Sequence, residues 1–405
     1  MRTTARSLAS LLLALFFAGM PPAQAAMPVA PYRTGLTRWR AAAGDFQDWY
    51  LNGVQRMPDG SLALDTAGAY ARHDPYRASG YHGHNYFNGG GFLIGEAVSP
   101  ITRPGFRFSQ LIPSWNAATP AGTWIETALR ARIGPHWTRW FVVAVWAAGD
   151  THVARHSLSS RATPDGRVDV DTLVLPDDRG PANAFQARVR LFTIDAAASP
   201  RVYSAAVAWS TAPSAPAAPP PGDPALWDHT LAVPACSQMV YPDGGDIWCS
   251  PTSTAMILAY WQGDGGPCEP RVRAAVAGVF DWLYDGHGNW PFNTAYAATQ
   301  GFEAYVVRFA GLAEAEPWIA GGVPIAITFA WGPGELDGAA LPASTGHLAV
   351  LIGFDAQGNP VVNDPAAGDN ATVRRTYPRA QLERLWLETS GGAAYVIYPA
   401  GWPVP

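Results

Sequence analysis

The stretch WCSPTSTAMILAYW occupies residues 248–261 and marks a change from loop to helix. A glycine-rich segment precedes it, and apolar side chains then recur at helical spacing, which predicts a helix over residues 250–261 that ends at Gly263. Pro251 falls in the first turn, where its missing N–H is tolerated. Cys249 therefore stands at the N-terminus of the predicted helix, where the helix dipole favours the thiolate form that acts as a nucleophile.

Helical and strand patterns alternate along the rest of the C-terminal half. Helices are predicted over residues 271–284, 293–300 and 379–388, and strands over residues 304–309, 323–329, 347–354, 360–363 and 394–398. A helix that precedes a late antiparallel sheet is typical of an α+β domain. We assign residues 229–405 to this domain.

The segment GHLAVLIG at residues 346–353 places His347 at the start of a predicted strand. A short turn follows, and the next strand leads the chain back to Asp364. Because antiparallel neighbours run back along each other, Asp364 is expected beside His347. A histidine anchored in this way can act as the base for Cys249, and a carboxylate beside it can orient the imidazole.

A proline-rich segment, TAPSAPAAPPPGDP at residues 211–224, divides the chain. Its prolines lack a backbone donor and favour extended geometry, which predicts a semi-rigid linker over residues 211–228. Residues 30–210 show short alternating runs separated by Gly, Pro, Asn and Asp, typical of antiparallel strands. Strands are predicted over residues 61–64, 106–112, 123–133, 137–146, 168–175, 184–191 and 202–209. We expect an all-β sandwich, jelly-roll-like, as the closure of these strands.

The first 25 residues have the organisation of a signal peptide. Two arginines form a basic start, an apolar run covers residues 8–20, and AQA at residues 23–25 is a cleavage signal. The apolar run is short for a membrane span, so an uncleaved anchor is the less favoured alternative. We expect cleavage after Ala25 and a secreted or periplasmic mature chain without a transmembrane segment.

The composition excludes one class of partner. The net charge is -5 and the isoelectric point is about 6.0, so no basic stripe is expected for nucleic acid. Hydrophobic residues make up 48% and charged residues 15% of the 405 residues, which is typical of a globular chain. This length exceeds one ordinary core and predicts a multidomain protein.

Four segments resemble the secreted, transporter-free relatives of the bacteriocin-processing, double-glycine leader peptidases, a family of papain-clan cysteine peptidases. The segments are VPACSQM (233–239), WCSPTSTAMILAYW (248–261), GHLAVLIG (346–353) and NDP (363–365). Many relatives have Gly-Pro after the nucleophile, whereas Ser250 and Pro251 follow here, so Ser250 is expected to help cap the helix. The N-terminal strands resemble β-domains fused to such peptidases.

The resemblance implies a role for each matching residue. Cys249 matches the nucleophile, His347 the general base and Asp364 the orienting carboxylate. Gln238 matches the glutamine whose side-chain amide completes the oxyanion hole. The resemblance also implies that residues 229–405 form a papain-like cysteine peptidase domain that needs no metal or organic cofactor and acts on a peptide or protein substrate.

The three cysteines allow more than one assignment. In an exported protein an odd count leaves one thiol unpaired, or paired with another chain. If Cys249 is catalytic, Cys236 and Cys268 are the possible pair. That pair stays open, because the predicted helix carries the chain away from Cys236 before Cys268 is reached. A structural disulfide that includes Cys249 is the alternative.

Other residues suggest ligands less specifically. His82 and His84 have a spacing seen in metal sites but lack a recognisable third ligand. His287 is interpreted as a solvated loop residue. A tryptophan cluster could stack on sugars or peptides, although strand alternation assigns half of it to the core. The cluster comprises Trp115, Trp124, Trp137, Trp140 and Trp146.

Three functions therefore compete with a plain peptidase. The same order of Cys, His and Asp serves transglutaminase-like enzymes and cell-wall amide hydrolases. A non-catalytic surface-binding protein on a peptidase scaffold is the third alternative. In that case a cell-wall or glycan ligand for residues 30–210 would carry the function.

Overall fold

The computed structural model describes residues 32–176, 178, 180–215 and 219–405. The predicted signal peptide lies outside the described residues. Antiparallel strands build the described chain up to residue 210, and five helices and a further sheet build the part from residue 229 onward.

Two sheets form the N-terminal region. The strands are β1 (Thr34–Arg40), β2 (Tyr50–Asn52), β3 (Val54–Arg56), β4 (Leu62–Leu64), β5 (Tyr70–His73), β6 (Gly91–Val98), β7 (Gln110–Ala118), β8 (Thr123–Ile133), β9 (His136–Trp137), β10 (Phe141–Trp146), β11 (His156–Ser157), β12 (Arg167–Asp169), β13 (Thr172–Val174), β14 (Ala184–Thr193) and β15 (Arg201–Ser210). The first sheet has the order β12-β13-β7-β15-β4-β3, with β1 also paired to β15. The second has the order β11-β10-β8-β14-β6-β2, with β5 on β6 and β9 on β8.

The two sheets pack face to face over one apolar core. Trp115 on β7 meets Trp146 on β10 with ring centroids 6.3 Å apart, and both side chains are fully buried. Strand alternation supplies this core, because every second residue of each long strand points at the facing sheet.

The C-terminal region combines a third antiparallel sheet with helices. Its elements are β16 (His229–Thr230), α1 (Cys249–Gln262), α2 (Cys268–Val279), α3 (Trp290–Thr299), β17 (Phe302–Arg308), α4 (Leu312–Ala320), β18 (Ile325–Trp331), β19 (Ser344–Phe354), β20 (Pro360–Asn363), β21 (Arg374–Thr376), α5 (Arg379–Ser390) and β22 (Ala393–Pro399). The sheet order is β17-β22-β18-β19-β20-β21, with β16 on β19. Helix α1 is buried from Ser250 to Ala259 and packs on β19, between α2 and α3.

The two regions share an extensive contact. The Asn116 amide on β7 donates to the Ala304 carbonyl at 2.6 Å and accepts from the Ala304 N–H at 3.3 Å. The side chain thus makes the two hydrogen bonds to β17 that the backbone of a neighbouring strand would make. Phe292 of α3 inserts into the N-terminal core, 5.2 Å from the Trp146 ring. At the rim, Arg38 donates to Glu303 at 2.5 Å.

Several element bounds differ from the sequence prediction. The helix predicted over residues 271–284 begins at Cys268 and ends at Val279, because the Asp281 side chain accepts the following backbone N–H groups and forms a turn. The strand predicted over residues 168–175 is the hairpin of β12 and β13, with Val170 at a positive φ of 51° in its turn. Helix α4 was not predicted, and Pro317 inside it explains why.

Candidate active site

Cys249 begins α1 and its half-buried thiol lines a cavity of about 550 Å³. A short turn, Gly245–Ile247, leads into the helix, and the Trp248 carbonyl accepts the first helical hydrogen bond, from Thr252, at 3.0 Å. The expectation that Ser250 caps this helix is wrong. Its hydroxyl instead bonds the Tyr395 hydroxyl at 2.8 Å, inside the core, and so fixes the first turn against β22.

His347 and Asp364 meet on neighbouring strands, as the hairpin pattern predicted. His347 Nε2 lies 2.8 Å from Asp364 Oδ1, and both side chains are buried. Strand β20 pairs with β19 up to Asn363, so the next residue along the chain reaches the histidine. Because Nε2 faces Asp364, Nδ1 is the nitrogen left for the hydrogen bond between His347 and the Cys249 thiol.

Further groups hold this pair in place. The Tyr377 hydroxyl donates to Asp364 Oδ2 at 2.6 Å, and the Ala366 N–H donates to Asp364 Oδ1 at 2.9 Å. The rings of Phe329 and Trp331 stand nearly perpendicular to the imidazole, with centroids 5.6 and 5.5 Å away. The imidazole is thus fixed in one orientation and shielded from water. No sequence motif pointed to Tyr377, which lies beyond the matching segments.

His347 and Asp364 each stabilise the charged form of the other. Burial lowers the pKa of His347, but the Asp364 carboxylate and the Cys249 thiol outweigh it and raise that pKa to about 10. Burial likewise raises the pKa of Asp364, but His347, Tyr377 and the Ala366 N–H together lower it below its ordinary value. Near neutral pH the arrangement therefore holds an imidazolium between Asp364 and Cys249.

Gln238 lines the same cavity as Cys249 and is almost fully buried. Its backbone N–H donates to the Pro365 carbonyl at 2.8 Å, which ties this loop to the turn after Asp364. Within the described residues, its side-chain Oε1 is buried without a hydrogen-bond partner. Gly245 passes so close to the Gln238 carbonyl that a Cβ there would collide with it, so glycine is required for this approach.

The cysteine pairing left open by the sequence is resolved in the structure. Cys236 and Cys268 form a disulfide with their Cα atoms 5.8 Å apart. The Cys236 N–H donates to Met256 Sδ at 3.3 Å, so Cys236 lies beside the middle of α1 rather than its start. All three cysteines lie in the described part of the chain, and Cys249 is the free one.

The loop between α2 and α3 forms one wall of the cavity. Tyr284 and His287 line it from this loop, and Trp290 lines it from the start of α3. His287 is half-buried rather than solvated, and its ring contacts Phe280 and Trp248 at centroid distances of 5.2 and 6.2 Å. Burial lowers the pKa of His287, so its imidazole is neutral at neutral pH.

The N-terminal region holds this wall in place. Asp171 Oδ2 accepts from the Trp290 N–H at 3.0 Å, and the Asp281 carboxylate accepts from the Ser157 N–H at 3.1 Å. Burial is the main cause that raises the pKa of Asp171, to about 6. Trp282 stacks against His84 at 4.2 Å between ring centroids. The contribution of the N-terminal region to the cavity wall could not be predicted from sequence motifs.

The remaining sequence candidates lie elsewhere. Among the described residues, no group of three or more His, Cys, Asp or Glu side chains is arranged to hold a metal ion. In the part of the chain that the structure describes, no helix is both long and apolar enough to cross a membrane. Of the tryptophan cluster, three side chains are buried in the N-terminal region: Trp115, Trp124 and Trp146.

A thiol beside an imidazole that a carboxylate orients, at the start of a helix and open to a cavity, is an arrangement suited to thiol-dependent acyl chemistry. The class of protein that the fold and the site point to is a peptidase of the cysteine type.

Comparison with known families identifies the two halves. Residues 35–210 match the family model described as peptidase C39 N-terminal domain, and residues 230–394 match the model described as the peptidase C39 like family. Together the two models cover most of the chain and confirm the resemblance, seen in the sequence, to C39-like peptidases with a C39 N-terminal domain. No curated protein matches the chain.

Two solved structures give weaker matches. A structure from Bacillus anthracis described as a C39-like peptidase is 18% identical, with a TM-score of 0.30, and covers 42% of this chain and 98% of its own. A structure of carbohydrate-binding modules of the β-sandwich superfamily is 11% identical, with a TM-score of 0.16, and covers 44% of this chain and 54% of its own. Both TM-scores are low, so neither structure superposes closely on this chain.

Proposed function

We propose that the chain is a secreted cysteine peptidase that hydrolyses peptide bonds, or closely related amide bonds, with Cys249 as nucleophile, His347 as base, Asp364 as orienting carboxylate and Gln238 as oxyanion donor. The observation that carries the proposal is the placement of His347. One ring nitrogen meets a buried carboxylate at 2.8 Å, and the other is left for a thiol at the edge of a cavity of about 550 Å³.

The proposed reaction begins with Cys249 as a thiolate and His347 as an imidazolium. The Cys249 sulfur attacks the substrate carbonyl carbon, and the carbonyl electrons move to oxygen. The Cys249 backbone N–H and the Gln238 amide donate to that oxyanion. The intermediate collapses, the C–N bond breaks, and His347 gives its proton to the leaving amine. Water, deprotonated by His347, then attacks the thioester and releases the acid product, which regenerates the Cys249 thiolate and the His347 imidazolium.

The fold assignment forms part of the proposal. Residues 229–405 are assigned to a papain-like domain, because a buried helix bearing the thiol packs on an antiparallel sheet bearing the histidine. Residues 30–210 are assigned to a jelly-roll-like sandwich, and residues 211–228 to the linker. The Cys236–Cys268 disulfide supports export to an oxidising compartment, as the signal peptide over residues 1–25 predicts.

The first experiment measures alkylation of Cys249 by iodoacetamide against pH, with peptide mass readout. We expect rapid alkylation well below the pH near 8.5 at which a free thiol ionises. His347→Ala should shift this profile toward that of a free thiol, and Cys249→Ala serves as the blank. A Cys249 no more reactive than a free thiol would exclude the proposal and favour a non-catalytic binding protein.

The second experiment presents a library of unstructured peptides, muropeptides and an amine acceptor to the same protein. Cleavage of peptides that Cys249→Ala abolishes is the expected result. Acyl transfer to the amine in preference to water would instead identify a transglutaminase-like enzyme. Cleavage confined to muropeptides would identify a cell-wall amide hydrolase.

A further inference from the structure

The second sheet of the N-terminal region carries a cavity of its own, of about 620 Å³. Strand β5 pairs with β6 in this sheet, and β5 and the loop after it contribute Tyr70, Tyr76 and Tyr81 to the cavity lining. Aromatic side chains dominate its lining, and six of them are Tyr70, Tyr76, Tyr81, Tyr86, Phe92 and Phe192. The C39 N-terminal family match assigns no ligand to this cavity.

A ladder of charged residues forms part of the cavity lining. Arg190 on β14 lies directly opposite Glu96 on β6 and Glu126 on β8. Its guanidinium bonds Glu96 at 2.9 Å and Glu126 at 3.2 Å. Glu126 is only 3% exposed. Burying a charged side chain such as Glu126 contributes little to stability even when it is paired, since an apolar residue of similar size would serve the fold as well or better. Because the fold does not need this buried charge for stability, its presence in the cavity points to a ligand.

Carboxylates and guanidinium groups are equal in number among the residues that line the cavity. Two carboxylates, Glu96 and Glu126, face two guanidinium groups, Arg72 and Arg190. The lining itself has no excess of either kind of group, and its paired carboxylates and guanidinium groups are strong hydrogen-bonding partners for a neutral ligand.

Two of the tyrosines that line the cavity are partly exposed to solvent. Tyr70 is 40% exposed and Tyr76 is 45% exposed. The Tyr76 ring lies against Tyr81 and Tyr86, at centroid distances of 4.9 and 5.7 Å, so a group of tyrosines lines one side. Grouped aromatic side chains with uncovered faces mark binding surfaces more often than scattered ones do.

We propose that this cavity binds a neutral oligosaccharide. Sugar rings would lie on the tyrosine faces through their C–H groups, and their hydroxyls would bond the ladder of Glu96, Arg190 and Glu126. The volume lies within the range of about 300–1,000 Å³ that is usual for small-molecule sites.

This proposal does not rest on the peptidase activity, because the cavity lies in the N-terminal region and contains no residue of the Cys249 site. The test uses the mature full-length chain and isothermal titration calorimetry with uncharged tetrasaccharides of glucose, xylose and N-acetylglucosamine. We expect at least one of them to bind with a Kd below about 1 mM. Tyr76→Ala should weaken that binding about tenfold, since one stacking face is lost.

Tyr203→Ala is the matched control. Tyr203 is 42% exposed, like Tyr76, but it lies on β15 of the other sheet and outside the cavity. Its variant should bind as the unmodified chain does, and both variants should keep their far-UV circular dichroism. Absence of millimolar binding by all the uncharged tetrasaccharides, or equal binding by Tyr76→Ala, would overturn the proposal. Tighter binding of an oligogalacturonate or of an extended peptide would overturn the assignment to a neutral sugar.

Discussion

Gln238→Met should separate catalysis from stability, because the structure assigns opposite signs to the two effects. Methionine has nearly the same length as glutamine but offers no N–H donor. The proposed loss of one oxyanion donor raises the barrier by about 2.7–4 kcal/mol, which corresponds to a fall of about 10²–10³ in kcat for peptide hydrolysis. We expect KM to change little, since the donor acts on charge that develops only in the transition state.

Stability should move the other way. Gln238 is 2% exposed, and within the described residues its Oε1 atom has no hydrogen-bond partner. Replacing a buried, unpaired polar group by an apolar one of the same shape removes a desolvation penalty of about 1–3 kcal/mol. The backbone hydrogen bond from residue 238 to Pro365 is unaffected by the substitution. The melting temperature of Gln238→Met should therefore equal or exceed that of the unmodified chain.

Alkylation of Cys249 provides the internal control, because iodoacetamide forms no oxyanion. Its rate in Gln238→Met should stay within about twofold of the unmodified rate, whereas peptide hydrolysis falls. A variant that hydrolyses peptides as fast as the unmodified chain would refute the oxyanion role. A variant that melts well below it would show that Gln238 holds the loop together, and the lost activity would then carry no information about the oxyanion.

Three further predictions follow from the contacts described. Asp364→Asn keeps the shape of the side chain but removes the charge that raises the pKa of the imidazole, so alkylation at pH 7 should slow by at least about tenfold. Because burial raises the pKa of Asp171 to about 6, its ionised form costs stability above pH 6, and the cost vanishes as pH falls below about 4. Asp171→Asn should therefore gain about 3 kcal/mol over the unmodified chain in urea unfolding at pH 7.5 but nothing at pH 3.5, and amide exchange at Trp290 should stay slow. Removal of the disulfide by the double variant Cys236→Ser, Cys268→Ser should lower the free energy of unfolding by about 2–4 kcal/mol, and an unchanged melting temperature would contradict its structural role.

The sequence anticipated those parts of the fold that local pattern determines. The strand predicted over residues 123–133 matches Thr123–Ile133, and the helix predicted over residues 250–261 lies within Cys249–Gln262. The meeting of His347 and Asp364 followed from one hairpin. Each of these depends on neighbouring segments whose periodicity is strong.

Contacts between distant segments could not be predicted in this way. Asp171 and Trp290 meet across the two regions, and nothing in the local pattern of either segment indicates the other. The Cys236–Cys268 pair was left open because the predicted helix carries the chain away from its start before Cys268 is reached. In the structure Cys236 lies beside Met256, midway along that helix, and can therefore reach Cys268. The contact of Tyr377 with Asp364 could not be predicted for the same reason, and neither could the ladder around Arg190. Both depend on the register between strands and on the packing of loops.

The proline-rich segment is not the only connection between the two regions. Asn116 is hydrogen-bonded to the backbone of Ala304, and Phe292 inserts into the N-terminal core. A protease that cut the chain between residues 211 and 224 would break the covalent connection but none of these contacts. The two fragments would separate on a denaturing gel, yet they would elute together from a sizing column and keep the wall of the Cys249 cavity. Cleavage at this point would therefore produce a two-chain protein rather than a free peptidase.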